Sequence, residues 1–445
     1  MLTFVAPLII YLLSFPVMLV TLFRVEIGIL FFISTIPIIS LMKKISEFPQ
    51  GNNFGDFLLV SIVIGWIFKN LREGKSIFKR SPLNIAVLLL VFGSIINLIR
   101  GYTFMGLPEE VNLIRLMAWK NYMILPLIYF IAANNIETEK LAKWVIICVC
   151  FTLLAMDLNF YSTFRWMRAE HYRDSIRISG PFSFLGPNEL GVFYTVFTFL
   201  LLGISYYIED KRFKYFILFI CACNFYPIMF SYSRGAYTCT LVGFFTLGIV
   251  KDRKFLLLLI VLLIFYSFIL PRSVVERINM TFLGETQITE EKKERDVVEI
   301  GEVELDTVGR KELWDKALRY FKEEPLFGIG FDTFRHKEGM ITHSMVLKIL
   351  AEQGLVGMAI FVSFTVVILY QSFKLFRHSQ TKLGRGIGLG FLTCEVVHLA
   401  GSLTGDQSLY YNLMGIYWVF LGIVASFNAL YVVKPTANNN RFLPR

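Results

Sequence analysis

Apolar runs of roughly 17 to 25 residues recur along nearly the whole of this chain, each long enough at about 1.5 Å per residue to cross a hydrocarbon core. Barrel strands would be shorter and would alternate, so the runs read as helices. The composition agrees. Of the 445 residues 55% are hydrophobic, 16% aromatic and 18% charged, and the mean hydropathy is +0.59. Water alone does not keep such a chain folded and dispersed. The expected fold is an all-α polytopic membrane protein with about 12 or 13 transmembrane helices.

The expected spans lie approximately at 2–22, 26–42, 56–68, 83–99, 114–133, 142–160, 187–207, 214–231, 235–250, 254–270, 344–373, 386–403 and 409–432. The segment Met1 to Phe23 lacks a basic start and runs on into another span, so a retained first helix is expected. The net charge of +10 would suggest a nucleic-acid partner in a soluble protein. Here Lys and Arg fall in short loops between spans, where they orient the chain, and no nucleic acid is expected. The loop with Lys69, Arg72, Lys75, Lys79 and Arg80 is the most basic and is assigned to the cytoplasm. Alternation then places Lys211–Lys214, Lys251–Lys254, Lys374–Arg385 and the tail inside as well. The acidic loop at Glu109 and Glu110, the segment Phe164–Pro187, the turn Ser231–Gly235 and the long stretch Pro271–Thr342 fall outside.

Three regions follow: a transmembrane bundle over 1–270, an extracytoplasmic loop over 271–343, and helices with a short cytoplasmic tail over 344–445. Within the long loop, Glu285–Asp306 is rich in Glu and Lys without periodicity and reads as a solvated insertion. From Arg310 onward Leu313, Trp314, Ala317, Leu318 and Phe321 recur at helical spacing, which predicts an amphipathic helix along the outer membrane face. The run Leu326-Phe-Gly-Ile-Gly-Phe331 suits a tight turn at the lipid boundary, and His343 follows just before the next span.

Ionisable residues at a bilayer are costly, so those that persist there are candidates for function. Arg177, Asn188, Glu189, Arg234, Arg310, His343 and Glu352 all lie at or near outer helix ends. Arginine grips phosphate oxygens bidentately and stays charged, whereas histidine accepts a proton near neutrality. Together they fit an activated phosphate ester meeting a hydroxyl nucleophile. Each has a plainer reading beside this one. An arginine at a span end is equally a snorkelling anchor, His343 can cap the helix that follows, and Glu352 can be a structural partner for an arginine. Gly354 and Gly357 suggest close helix packing. Arg234 stands apart, because Ser231, Ser233 and Gly235 interrupt an otherwise apolar helix and build a polar break between two spans.

The chain has no Walker A loop, which argues against nucleotide hydrolysis. Its six cysteines fall inside apolar spans and read as small buried residues. No metal-ligand spacing occurs, so neither metal nor other cofactor is expected.

The order Pro187-Asn-Glu-Leu-Gly191, Ser231-Tyr-Ser-Arg-Gly235, Gly309-Arg-Lys-Glu-Leu-Trp314, Pro325-Leu-Phe-Gly-Ile-Gly-Phe-Asp-Thr-Phe334, His343 and Leu350-Ala-Glu-Gln-Gly-Leu-Val-Gly357 resembles the O-antigen ligase and Wzy polymerase superfamily. The resemblance implies a GT-C-like glycosyltransferase of the bacterial inner membrane with its active site on the periplasmic face. It implies a metal-independent, inverting transfer of a glycan from undecaprenyl pyrophosphate to a sugar hydroxyl, on lipid A core or on another lipid-linked glycan. By the same resemblance His343 maps onto the catalytic histidine, and Arg234 and Arg310, with Arg177 as a more distant match, onto arginines that handle the pyrophosphate; Arg177, Asn188, Glu189 and Glu352 are the substrate-binding candidates, the last three from their place at or near outer helix ends. Ser344 departs from the pattern, which often has Asn there. A transporter or flippase for a lipid-linked or anionic solute is the alternative. The lack of an internal repeat of span pattern counts against it.

Overall fold

The computed structural model describes residues 2–38, 54–164, 170–178, 186–280, 307–406 and 411–432. The charge-rich insertion expected at 285–306 lies outside the described residues. The helices, in chain order, are α1 (Leu2–Thr21), α2 (Val25–Thr35), α3 (Phe54–Glu73), α4 (Pro82–Phe104), α5 (Glu109–Asn135), α6 (Glu139–Thr163), α7 (Pro187–Ser205) and α8 (Lys211–Phe230). They continue as α9 (Arg234–Val250), α10 (Lys254–Ile269), α11 (Arg272–Asn279), α12 (Thr307–Glu323), α13 (Thr333–Glu338), α14 (Met345–His378), α15 (Lys382–Ser402) and α16 (Tyr411–Tyr431). Among the described residues there is no strand, and the chain is an all-α polytopic membrane protein.

Every apolar segment expected above coincides with a helix, but not all are full-length spans. Among the described residues eight helices are long and apolar enough to cross a membrane, or nine if α10 and α11, bent by 113° at Pro271, count as one. Three further apolar helices, over Pro7–Thr21, Val25–Ile38 and Arg234–Val250, are shorter. Helix starts follow ordinary capping chemistry: Ser81, Thr138, Asp210, Ser233, Ser344 and Thr381 each accept a backbone N–H two or three residues on.

The bundle centres on α7, which is buried continuously from Leu190 to Ser205. It meets α15 backbone to backbone. A methyl group on Gly203 would lie 2.4 Å from Gly390 Cα, and one on Gly390 would lie 2.3 Å from the Leu200 carbonyl. Small residues are what allow such an approach where lipid offers no hydrophobic drive for association. The opposite extreme is α10, none of whose residues is fully buried: Phe255, Leu259 and Leu262 pack against the core, while Leu257, Ile260, Leu263, Ile264 and Phe268 are exposed. An apolar helix face without protein cover is at home only in hydrocarbon.

The expected single span near Met345 is in fact broken. Gly354 has φ 61° and ψ −156°, inside what would otherwise be one 34-residue helix. A break leaves carbonyls on one side and N–H groups on the other without helical partners, which is costly away from water. The segment 325–330 supplies those partners. Ile329 and Gly330 donate to the carbonyls of Ala351 (2.9 Å) and Glu352 (2.8 Å), while Leu355 and Val356 donate to those of Pro325 (2.8 Å) and Leu326 (3.1 Å).

One expectation is corrected here. Gly354 does not mark close packing of a continuous helix but the break itself, since only glycine adopts that backbone without strain. Of the glycine turn, residues 328–331 are buried in the break, whereas Leu326 and Phe327 are exposed. Gly354→Ala would place its methyl 2.5 Å from the Leu326 carbonyl carbon in a left-handed backbone. We expect it to cost about 2 kcal/mol or more, read as a lowered midpoint of thermal unfolding in detergent. A variant as stable as the parent would contradict the break.

Candidate functional site

The loop that fills the α14 break is pinned from its other side by α4 and α5. Phe331 donates to the Asn97 carbonyl (3.0 Å), Arg100 Nε to the Gly328 carbonyl (2.7 Å) and Arg115 Nε to the Phe331 carbonyl (2.8 Å). Arg100 also pairs with Glu324, and Arg115 donates to Asn112 Oδ1 (2.8 Å). Arg115 is fully buried. Its charge is offset by fixed carbonyl dipoles and by the nearby carboxylates of Glu352 and Asp332.

Those carboxylates belong to a buried ionic group beneath the loop. Glu352 accepts the backbone N–H of Asp332 (2.9 Å) and of Phe334 (3.2 Å), one on each oxygen. Lys348, one turn earlier on α14, lies 3.6 Å from Asp332 and 3.4 Å from Asp406. Asp332, at φ 53°, begins α13 and also meets Arg335 (3.1 Å) and His336 (3.7 Å). Burial pushes the His336 imidazole below its ordinary pKa, and Arg335, Arg115 and Lys348 add to this against the pull of Asp332.

His343 sits above this group at the start of α14, with φ 52°. The cap of α14 is Ser344, whose hydroxyl accepts from the Leu347 N–H, so capping does not fall to His343. Serine is a strong N-cap, which suits Ser344 to this place. The turn is held by Trp314 of α12, whose indole N–H donates to the Thr342 carbonyl (3.0 Å). Arg310 precedes Trp314 by four residues on the same helix and therefore shares its face. The apolar side of α12 is covered by protein: Leu313 and Ala317 are buried with Ile329, Phe334 and Ala351. Burial would raise the Glu338 carboxyl, but the Tyr320 hydroxyl (2.6 Å) and Lys316 (3.1 Å) outweigh it and hold Glu338 below the ordinary carboxylate range, tying α13 to α12.

A second polar group forms around the turn between α8 and α9. The expected break at Ser231–Gly235 is present, α8 ending at Phe230 and α9 beginning at Arg234. Arg177 reaches it from the preceding loop, donating through Nε to the Ser231 carbonyl (3.3 Å) and through Nη2 to Asn188 Oδ1 (2.9 Å). Glu189, in the first turn of α7, folds its carboxylate back over Gly186. Arg177, Arg234, Asn188 and Glu189 are all half-buried.

The two groups meet across the residues that follow α15. A methyl on Gly235 would lie 2.9 Å from the Thr404 hydroxyl, so the Arg234 turn abuts Thr404. The next carbonyl, of Gly405, accepts the Met345 N–H (3.2 Å) two residues after His343, and Asp406 meets Lys348. Thr404–Asp406 is thus a strap with the Arg234 turn on one side and the His343 turn on the other. Glu352 is set apart from the surface: it is 1% exposed and its oxygens accept loop N–H groups, which ties the loop to α14.

Sequence reasoning missed Arg100, Arg115, Asp332, Lys348 and Asp406. Lys348 carried a signal, being a lysine on an apolar helix one turn from Glu352. Among the described residues no cluster of His, Cys, Asp and Glu has the geometry to hold a metal ion.

Removing one member of a buried ion group leaves the others uncompensated. Lys348→Met removes the cation shared by Asp332 and Asp406 and is expected to cost about 3–5 kcal/mol, more than Asp406→Asn. The double variant should recover part of the loss. Thermal unfolding of the three proteins in detergent measures this, and strictly additive losses would refute the coupling.

Residues 216–362 match the O-antigen ligase family model. The matched segment contains Arg234, Arg310, His343 and Glu352, while Arg177, Asn188 and Glu189 precede it. No curated protein matches the chain. The matched segment spans the α8–α9 turn, the loop and the break in α14, so this part of the multi-pass membrane protein is similar to the O-antigen ligase family.

Proposed function

We propose that the chain transfers a glycan from undecaprenyl pyrophosphate to a sugar hydroxyl, on lipid A core or on a second lipid-linked glycan, at the outer face of the inner membrane. The observation that carries this reading is the strap Thr404–Asp406, flanked by the Arg234 turn and by the His343 turn. A proton acceptor and a phosphate-binding cation on either side of one strap is the arrangement that displacement of a pyrophosphate requires.

In the reaction His343 takes the proton of the acceptor hydroxyl as its oxygen attacks the anomeric carbon from the face opposite the leaving group. The bond from that carbon to the pyrophosphate oxygen breaks, a glycosidic bond with inverted configuration forms, and undecaprenyl pyrophosphate departs as the anion. Arg234 and Arg310 stabilise the charge that develops on the leaving oxygen, and Arg177, with Asn188 and Glu189, holds the donor headgroup. Pyrophosphate is a good leaving group, so guanidinium groups suffice for this role. Ligase and polymerase action differ only in the acceptor.

A transporter would use the freed backbone groups of a broken helix to hold its solute. Those of α14 are occupied by the chain's own loop, which speaks against that reading.

Reconstitution with an undecaprenyl-pyrophosphate-linked oligosaccharide and the two acceptor types tests the proposal. His343→Ala should reduce transfer by about 100-fold or more with membrane insertion intact, whereas His336→Gln should retain it. Full activity in His343→Ala would remove His343 from the mechanism. Arg234→Lys keeps the charge and loses the fork, and is expected to raise the donor KM by about tenfold.

A further inference from the structure

Asp157 lies within the membrane-spanning helix α6 and takes no part in the site described above. It is 7% exposed, and neither of its carboxyl oxygens has a hydrogen-bond partner. Among the described residues no basic side chain offsets its charge. A buried carboxylate that nothing pairs is costly in a membrane, so an ion from outside the chain is the natural counterpart.

Two neighbouring helices bring further unpartnered oxygens to the same region. The Tyr194 hydroxyl of α7 lies against the Asp157 carboxyl, yet it forms a hydrogen bond with neither oxygen. One turn along α7, the Thr198 hydroxyl accepts from Asn224 Nδ2 of α8 (2.9 Å), which commits the amide nitrogen and leaves Asn224 Oδ1 without a partner. Cys221 and Cys223, beside Asn224 on α8, lie close enough to Asp157 to feel its charge. Tyr194 and Asn224 are fully buried. All three side chains sit about two turns from the helix ends that carry Asn188 and Ser231, the partners of Arg177.

The balance of donors and acceptors indicates the occupant. Two oxygens of Asp157, one of Tyr194 and one of Asn224 are unpartnered, against the single donor hydrogen of Tyr194. A proton on Asp157 adds one donor and leaves acceptors unmet. A small hard cation meets all of them at once, and oxygens that surround an ion stand too far apart to bond one another. One carboxylate balances a monovalent ion. A divalent ion calls for more acidic ligands, and no cluster of three His, Cys, Asp or Glu suited to a metal occurs among the described residues.

We propose that Asp157, Tyr194 and Asn224 form a binding site for a single sodium ion, which ties α6, α7 and α8 together beneath the turn that Arg177 binds. The site stands independently of the proposed reaction.

The test uses the full-length protein in detergent at fixed pH and ionic strength, with sodium chloride exchanged against choline chloride. Sodium should raise the melting temperature of the parent by about 3 °C in a saturable way, and radiolabelled sodium should bind as a single ion per chain. Tyr194→Phe removes one ligand and should weaken the sodium affinity by about tenfold. Asp157→Asn, a neutral isostere, should lose both the binding and the shift. Glu395→Gln, which alters a buried carboxyl on α15, should keep them. No sodium binding by the parent would overturn the proposal, and so would equal affinity in the parent and in Tyr194→Phe. A melting temperature that follows pH but not sodium names a proton as the occupant and overturns it as well. Should Asp157→Asn fail to fold, the parent's stoichiometry and the Tyr194→Phe affinity decide the outcome.

Discussion

A helix interrupted inside a membrane must find partners for the backbone groups it exposes, and the rest of the site depends on how this chain meets that requirement. The break in α14 at Gly354 is closed by four hydrogen bonds from the segment 325–330 of the preceding loop. Filling the break does two things at once. It satisfies N–H and C=O groups that hydrocarbon cannot solvate, and it anchors the loop at a fixed depth, so that α13 and the His343 turn leave it in a set direction. The Trp314 contact to the Thr342 carbonyl completes the frame from the side of α12.

Electrostatics reinforces the same frame. Arg115 and Lys348 are buried cations, Asp332, Glu352 and Asp406 buried anions, and the group lies where α5, the loop, α14 and the strap after α15 come together. Such groups contribute little net stability, because desolvation offsets most of the attraction. Their effect is selective: an arrangement that separates one ion from the others is strongly disfavoured. The loop, the start of α14 and the strap are thereby held in one register, and the strap in turn holds the Arg234 turn against the His343 turn.

Much of this was legible in the sequence, and the residues show why. The apolar runs announce their helices because a hydrocarbon solvent imposes a length on each. Ser231, Ser233 and Gly235 announce a break because polar and flexible residues there interrupt a run that would otherwise continue. The cap of α14 was not assigned so well: the sequence offered His343 for that place, and the structure gives it to Ser344. The break at Gly354 was not legible, since Gly354 and Gly357 fit a packed helix equally well. Arg100 and Arg115 were hidden for another reason: their partners, the carbonyls of Gly328 and Phe331, lie 228 and 216 residues away in sequence. A backbone carbonyl carries no side-chain signature that could point to an arginine.

What the sequence by itself determined is therefore local and solvent-driven: which segments are helices, where they start, and which polar residues sit at their ends. Those properties follow from side-chain hydrophobicity, capping and backbone preference, all of which act over a few residues. Only the tertiary structure decided that the glycine turn fills a broken helix, that Glu352 supports the loop from within, and that Arg177 binds the turn that leads to Arg234. Each of these depends on hydrogen bonds and charge pairs between segments far apart in the chain, and such pairings exist only once the helices have packed.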